Sequence, residues 1–341
     1  MANMKQMIIG LVCGVTMGAT TMVAQSAATN NTAPAASVAA PTPQPSAEKE
    51  AKPFPPLNPK NFTADSPSVA EVNGFLTALW GFDTNRIWQV QGIVKTPAPG
   101  VAKVVVLVGD KRAPGKVSPL VFFTTPDGKH AIAENVMDFG VKPFAAARKT
   151  LQDRADGPAE GAKSNDLLFV EFADLHCDAC RDAQDKMANL QQDFPQARIV
   201  FEDTPEANHP YAEQAALDGV CVRKTKGDAA FFSYVQAVYA KQAGLTPTSA
   251  DATLKAAITA AGADPAAVTA CAALPETKAT VEAAVKLAQD LGAVQVPMIA
   301  VNGHFISLDS VPYETLKQMI AFQAGQDGIT VHLQPTLSTL K

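Results

Sequence analysis

The stretch Leu167 to Cys180, LLFVEFADLHCDAC, runs from an apolar segment straight into two cysteines separated by two residues. Leu167 to Phe172 is a continuous apolar run broken by Glu171, the pattern of a central strand buried on both faces. Beyond it, Cys180, Ala183, Met187, Leu190 and Phe194 fall on one stripe, which predicts a helix to about Asp193. A cysteine between strand and helix faces unpaired backbone N–H groups and the positive end of the helix dipole. These stabilise a thiolate, the nucleophile of disulfide exchange. Cys177 is therefore the expected attacking residue. Cys180, one turn along, is the expected resolving residue.

A lone C-x-x-C is also half of a zinc site, and zinc needs two further ligands. The chain has no second C-x-x-C and no closely spaced histidine pair, and His176 is too adjacent to complete a tetrahedron easily. Haem attachment is excluded because Arg181 follows Cys180. No metal and no dissociable cofactor is expected. Glu171 is either a buried acid or a strand residue facing solvent, and its apolar neighbours favour burial.

The run Val170 to Arg181, VEFADLHCDACR, resembles the active-site segment of the DsbA-like thiol–disulfide oxidoreductases of the thioredoxin superfamily. Gln295 to Gly303, QVPMIAVNG, resembles the same family's Val–cis-Pro segment, strand and turn. His209-Pro210, Ala215-Ala216 and Phe231-Phe232 resemble the start of its helical insertion. The resemblance spans Asp166 to about Gln323. It implies an α/β thioredoxin fold with a helical insertion, preceded here by a small α+β domain. It also implies that Pro297 is cis and faces the cysteines, with the backbone of Val296 pairing with a substrate strand. Read alone, Pro297 is equally an ordinary proline opening a strand. Glu171 matches the family's buried acid, which would have a raised pKa and relay the proton of Cys180.

One departure from the family matters. Strongly oxidising relatives place a histidine before the second cysteine, whereas this chain has Asp178-Ala179. The thiolate is then less stabilised and the disulfide less oxidising. His176 is a substrate-side candidate that could compensate in part; the simpler reading is an exposed loop histidine. Oxidase, isomerase and reductase directions all stay open. A non-catalytic peptide-binding module and a thiolate metal carrier are the competing classes. The intact cysteine pair speaks against the first and the missing ligands against the second.

Residues 1–24 read as a cleaved export signal: Lys5, an apolar run from Met7 to Val23, and small residues at Ala24 and Ala28. An uncleaved anchor is the alternative. Cys13 raises a lipoprotein reading, which Val12 before it opposes. Cleavage leaves Cys177, Cys180, Cys221 and Cys271, an even number suited to an oxidising compartment, so a periplasmic or secreted protein is expected. Cys221 and Cys271 are either a structural disulfide, as similar cysteines in some relatives imply, or two buried thiols.

Residues 25–65 are rich in Ala, Pro, Thr, Asn and Ser and read as a disordered tether. Residues 66–140 read as the small α+β domain, with a helix over 68–80 and strands over 86–94, 101–108, 120–125 and 130–136. Its segments DGKHAI and MDF faintly resemble the N-terminal domain of periplasmic disulfide isomerases, which implies a substrate-holding or homodimerising module. Residues 141–165 read as a connector with a short helix, 166–326 as the thioredoxin domain with its insertion at about 209–291, and 327–341 as a tail. The net charge of −5 argues against nucleic acid as a partner. The expected partners are cysteine-containing exported proteins and an unidentified redox partner.

Overall fold

The structure, a computed structural model, describes residues 53–293 and 295–331. The expected signal, Cys13, most of the tether and the tail beyond residue 331 lie outside the described residues.

The first unit opens with helix α1 (Val69–Trp80). Ser68 and Glu71 form a capping box: the Ser68 hydroxyl accepts from the Glu71 amide at 3.2 Å and the Glu71 carboxylate accepts from the Ser68 amide at 2.7 Å. The helix buries Val72, Phe75 and Leu76. They pack against an antiparallel sheet of β1 (Arg86–Lys95), β2 (Ala102–Asp110), β3 (Val117–Thr124), β4 (His130–Ile132) and β5 (Val136–Asp138), adjacent in chain order. Two expectations need correction. The single strand expected over 130–136 is a hairpin of β4 and β5, because the polar Glu134 and Asn135 allow a reversal closed by the Ala133 amide on the Asn135 carbonyl. Residues 53–65, expected as the end of the tether, form a 3-10 turn at Pro59–Asn61, and the amides of Thr63 and Ala64 both donate to the Ile93 carbonyl. Phe62 packs on the core of this unit, and composition alone discounted that contact.

The second unit contains α2 (Ala145–Arg154), β6 (Ala159–Gly161), β7 (Leu168–Ala173), α3 (Asp178–Asp193) and β8 (Arg198–Asp203). Five helices follow: α4 (Ala212–Lys226), α5 (Asp228–Ala240), α6 (Ala250–Ala260), α7 (Pro265–Ala272) and α8 (Pro275–Asp290). The chain closes with β9 (Met298–Val301), β10 (His304–Ser307) and α9 (Tyr313–Gln326). Strand order is β10-β9-β7-β8-β6, with β7 parallel to β8 and antiparallel to β9. The strand β6 lies in the stretch read as a connector, where three residues, Ala-Glu-Gly, carry too little pattern to announce a strand. The α/β architecture with a helical insertion after an α+β unit is as expected from sequence.

All six residues of β7 are buried, and alternation sorts them by layer. Leu167 and Phe169 join a cluster with Met187 and Leu190 of α3 and Leu316 and Ile320 of α9. Leu168, Val170 and Phe172 join Leu151 of α2 and Leu287 of α8 on the other face. By the same alternation Glu171 points to the α3 side, beneath the helix that carries Cys180. The β9–β10 turn places Asn302 at φ 47° and Gly303 at φ 90°. A Cβ on Gly303 would lie 2.4 Å from the Phe144 carbonyl oxygen, so no other residue fits this turn without displacing α2. Among the described residues, no helix is long and apolar enough to cross a membrane.

Candidate active site

The end of β7 delivers the chain into the turn 174–177, and Cys177 becomes the N-cap of α3. Its sulfur accepts the Cys180 amide at 3.2 Å, one of the orphan donors of the helix start. Cys177 is buried apart from 8 % of its surface, and Cys180 is fully buried; neither is in a disulfide. A hydrogen bond from Cys180 and backbone donors at Cys180 and Ala179 draw the Cys177 thiol down to about 7, against burial and the charge of Asp174. The Cys180 thiol is raised instead, by its bond to Cys177, by burial, and by the charges of Cys177 and Glu171. The two thiols thus differ: Cys177 is drawn down toward neutral pH while Cys180 is raised.

Asp178, expected to oppose the thiolate, points outward and pairs with Arg181 at 2.8 Å. The carboxylate that acts on Cys177 is Asp174, fully buried in the turn itself. Its Oδ1 accepts the His176 amide at 2.6 Å, and its Oδ2 accepts the Glu206 amide at 2.8 Å and faces His209 Nδ1 at 2.7 Å. Donor atoms of Asp174, Glu206 and His209 lie within 4.8 Å of one another. The 2.7 Å contact is nevertheless a hydrogen bond, too short for an ion bonded to both atoms at about 2 Å in a tetrahedral site to separate them. The His176 ring sits tilted beside this group, its centroid 5.5 Å from that of His209 and 5.9 Å from that of Tyr211.

The helical insertion braces the turn. Gln242, after α5, donates to the carbonyls of Leu175 at 3.1 Å and Cys177 at 3.0 Å and accepts from Arg181 at 2.9 Å. The Tyr239 hydroxyl donates to the Asp174 carbonyl at 3.3 Å. Cys221 of α4 and Cys271 of α7 are joined by a disulfide, with Cα atoms 5.9 Å apart. Val296 precedes a cis peptide bond to the buried Pro297 and packs against the cluster that holds both cysteines.

Residues 154–321 match the model of the protein family described as Thioredoxin. This segment is a thioredoxin domain. No curated protein matches the chain. Solved structures similar to the thioredoxin domain include the catalytic domain of Proteus mirabilis ScsC, at 18 % identity over 53 % of this chain and 99 % of that one, with a TM-score of 0.45. BdbD from Bacillus subtilis is similar at 20 % identity over 50 % of this chain and 93 % of its own, with a TM-score of 0.43. The thiol–disulfide exchange protein alpha-DsbA2 from Wolbachia pipientis follows at 14 % identity, 51 % and 94 % coverage and a TM-score of 0.44.

Below the cysteines of the thioredoxin domain, Glu171 is 3 % exposed and accepts one hydrogen bond, from Gln184 at 2.8 Å. The same Gln184 amide group donates to the Cys180 carbonyl at 3.2 Å. Burial pushes the Glu171 carboxyl from an ordinary 4.5 up to about 7, partly offset by the Gln184 bond. A carboxyl that binds its proton more tightly in the folded state makes the fold less stable as pH rises from 4.5 to about 7, and the loss persists above that. Glu171→Gln removes this loss. Urea unfolding of the reduced protein is expected to show the variant gaining roughly 2–3 kcal/mol on wild type between pH 4 and pH 8. An equal difference at both pH values would show that Glu171 does not titrate in this window.

Cys177 and Cys180 lie in one apolar cluster on which Val296 packs, Glu171 lies on β7 beneath α3, and Pro297 follows the cis bond just before β9, the five positions that sequence reasoning singled out. It missed Asp174, His209, Gln184, Tyr239 and Gln242. It also missed Asp203 on β8, whose two carboxylate oxygens are buried without a hydrogen-bond partner. Burial, then the charges of Asp174 and Glu202, raise the Asp203 carboxyl well above its usual range. Only the short spacing of Asp174 to Cys177 could have drawn attention in the sequence.

Proposed function

We propose that this protein is an exported thiol–disulfide oxidoreductase that exchanges disulfides with cysteine-containing periplasmic or secreted proteins. The observation that carries the reading is the asymmetric dithiol at the start of α3, with Cys177 drawn down to about 7 and Cys180 raised. In the reducing direction, the Cys177 thiolate attacks one sulfur of a substrate disulfide, breaking that S–S bond and releasing the other sulfur as a thiolate. Cys180 then gives up its proton, with Glu171 as the acceptor, and attacks Cys177. The substrate leaves as a dithiol and the enzyme holds the Cys177–Cys180 disulfide. Reversal of the same steps oxidises a substrate, and a redox partner resets the pair in either case. Val296 and the cis Pro297 frame the peptide beside the cysteines, with His176 on the substrate side.

Export is supported by the N-terminal signal pattern and by the Cys221–Cys271 disulfide, which suits an oxidising compartment. The N-terminal unit serves as a substrate-holding or homodimerising module. In its favour, Val117, Val121 and Phe123 expose 38–39 % of their surface at alternate positions along β3.

Redox titration of the Cys177–Cys180 pair in a glutathione series, with Cys180→Ala as control, tests the proposal. A single two-electron transition absent from the control is expected, at a potential below the roughly −120 mV of strong oxidants. A value near thioredoxin's, about −270 mV, assigns reduction or isomerisation rather than oxidation. If no two-electron transition appears, the proposed function fails.

A further inference from the structure

The loop that leads into α4 carries His209 across to the active-site turn, where its ring meets Asp174 at 2.7 Å. Asp174 has no exposed surface, and three donors converge on its carboxylate. Such a buried anion, three residues before the attacking cysteine, opposes a thiolate there, since a nearby like charge disfavours ionisation. An imidazolium in hydrogen-bond contact with that anion would offset its charge. His209 retains only 24 % of its side-chain exposure, so solvent screens the pair incompletely.

We propose that His209 is a positioning residue for the dithiol chemistry: as an imidazolium clamped by Asp174, it neutralises that carboxylate beside Cys177 and favours the Cys177 thiolate. The chain thereby supplies, from the start of the helical insertion, a cation that the Asp178-Ala179 dipeptide lacks. This rests on the reading of Cys177 as the attacking thiolate.

The groups that face His209 agree with the assignment. They are Asp174 from the end of β7, Glu206 of its own loop at 3.8 Å, Cys177 from the start of α3, and the His176 ring at 5.5 Å. Burial lowers the His209 pKa, but the hydrogen bond and charge of Asp174, with the charges of Glu206 and Cys177, outweigh it and raise the net value above 6.5. His209 therefore holds its proton to higher pH than an ordinary imidazole.

The test is the titration of Cys177 in the reduced full chain, read by the ultraviolet absorbance of the thiolate and by the rate of iodoacetamide alkylation at Cys177. His209→Gln is expected to move the titration to higher pH and to slow alkylation at pH 6 by roughly three- to tenfold, the size of a loss of up to one pKa unit. His209→Arg, which keeps the charge, is expected to titrate close to wild type. Asp174→Asn in the His209→Gln background removes both charges and is expected to restore much of the wild-type rate. A His209→Gln protein that folds as wild type and titrates as wild type overturns the inference; so does a His209→Arg protein that behaves like the glutamine variant. Failure of the wild-type protein to exchange disulfides overturns the proposed function instead, because the Cys177 titration is measured without any substrate.

Discussion

Cys177→Ser is expected to abolish disulfide exchange, by about a thousandfold or more, whereas Cys180→Ser is expected to retain the first step and accumulate a mixed disulfide. The asymmetry follows from position on α3. Cys177 is the N-cap, reached by the Cys180 amide at 3.2 Å, and its thiol is drawn down to about 7. A serine there has the shape but no accessible anion at neutral pH. Cys180 is fully buried and its thiol is raised, so it contributes only after Cys177 has bonded to a substrate sulfur. The rate of the first step is expected to rise with pH through a midpoint near 7 and to level about one unit above it, following the thiolate fraction of Cys177. Incubating each variant with a disulfide-containing peptide and separating products without reductant checks both statements. Trapping by Cys177→Ser and not by Cys180→Ser would reverse the assignment of attacking and resolving residues.

The second large effect is on stability. The disulfide between Cys221 and Cys271 closes a loop with a sequence separation of 50 residues. It ties α4 to α7 within the helical insertion. Restricting the unfolded chain over a loop of this length is worth about 4 kcal/mol by chain entropy, and measured values for native disulfides generally fall at about 2–5 kcal/mol. Replacing both cysteines with alanine is therefore expected to lower unfolding stability by about 2–4 kcal/mol, measured in urea against the wild-type protein with this bond intact. Cys221 is fully buried, so the lost sulfur adds a small cavity to the entropic effect. A change below about 1 kcal/mol would mean that packing around Thr277, Val222 and Val268 holds the insertion without the bond. Loss of the insertion's order should also loosen Gln242, which holds the carbonyls of Leu175 and Cys177. Weaker exchange at temperatures where the variant begins to unfold is the expected functional echo.

Much of the α3 side of the site could be read from the chain because it is local. Apolar continuity from Leu167 to Phe172 followed by an amphipathic stripe through Ala183, Met187 and Leu190 specifies strand, turn and helix. That order puts a cysteine at a helix start. Where local pattern was thin, expectation and structure part. The three-residue β6 has no periodicity to detect, and the polar break at Glu134-Asn135 converts one expected strand into a hairpin. Phe62 packs on the first unit although the composition around it reads as tether.

From the sequence by itself came the cysteine pair and its place at the head of α3, and the division into an α+β unit and an α/β unit, while Glu171 and Pro297 each kept two readings. Each of these depends on neighbours within a few residues or on a motif with a fixed local geometry. Tertiary structure alone decided which charges surround Cys177. Asp178, adjacent in sequence, turns outward to Arg181, while Asp174 turns inward and meets His209 from 35 residues downstream. The sign of the electrostatic field at a sulfur depends on distance and burial through space, and those are set only when the helical insertion folds back onto the active-site turn.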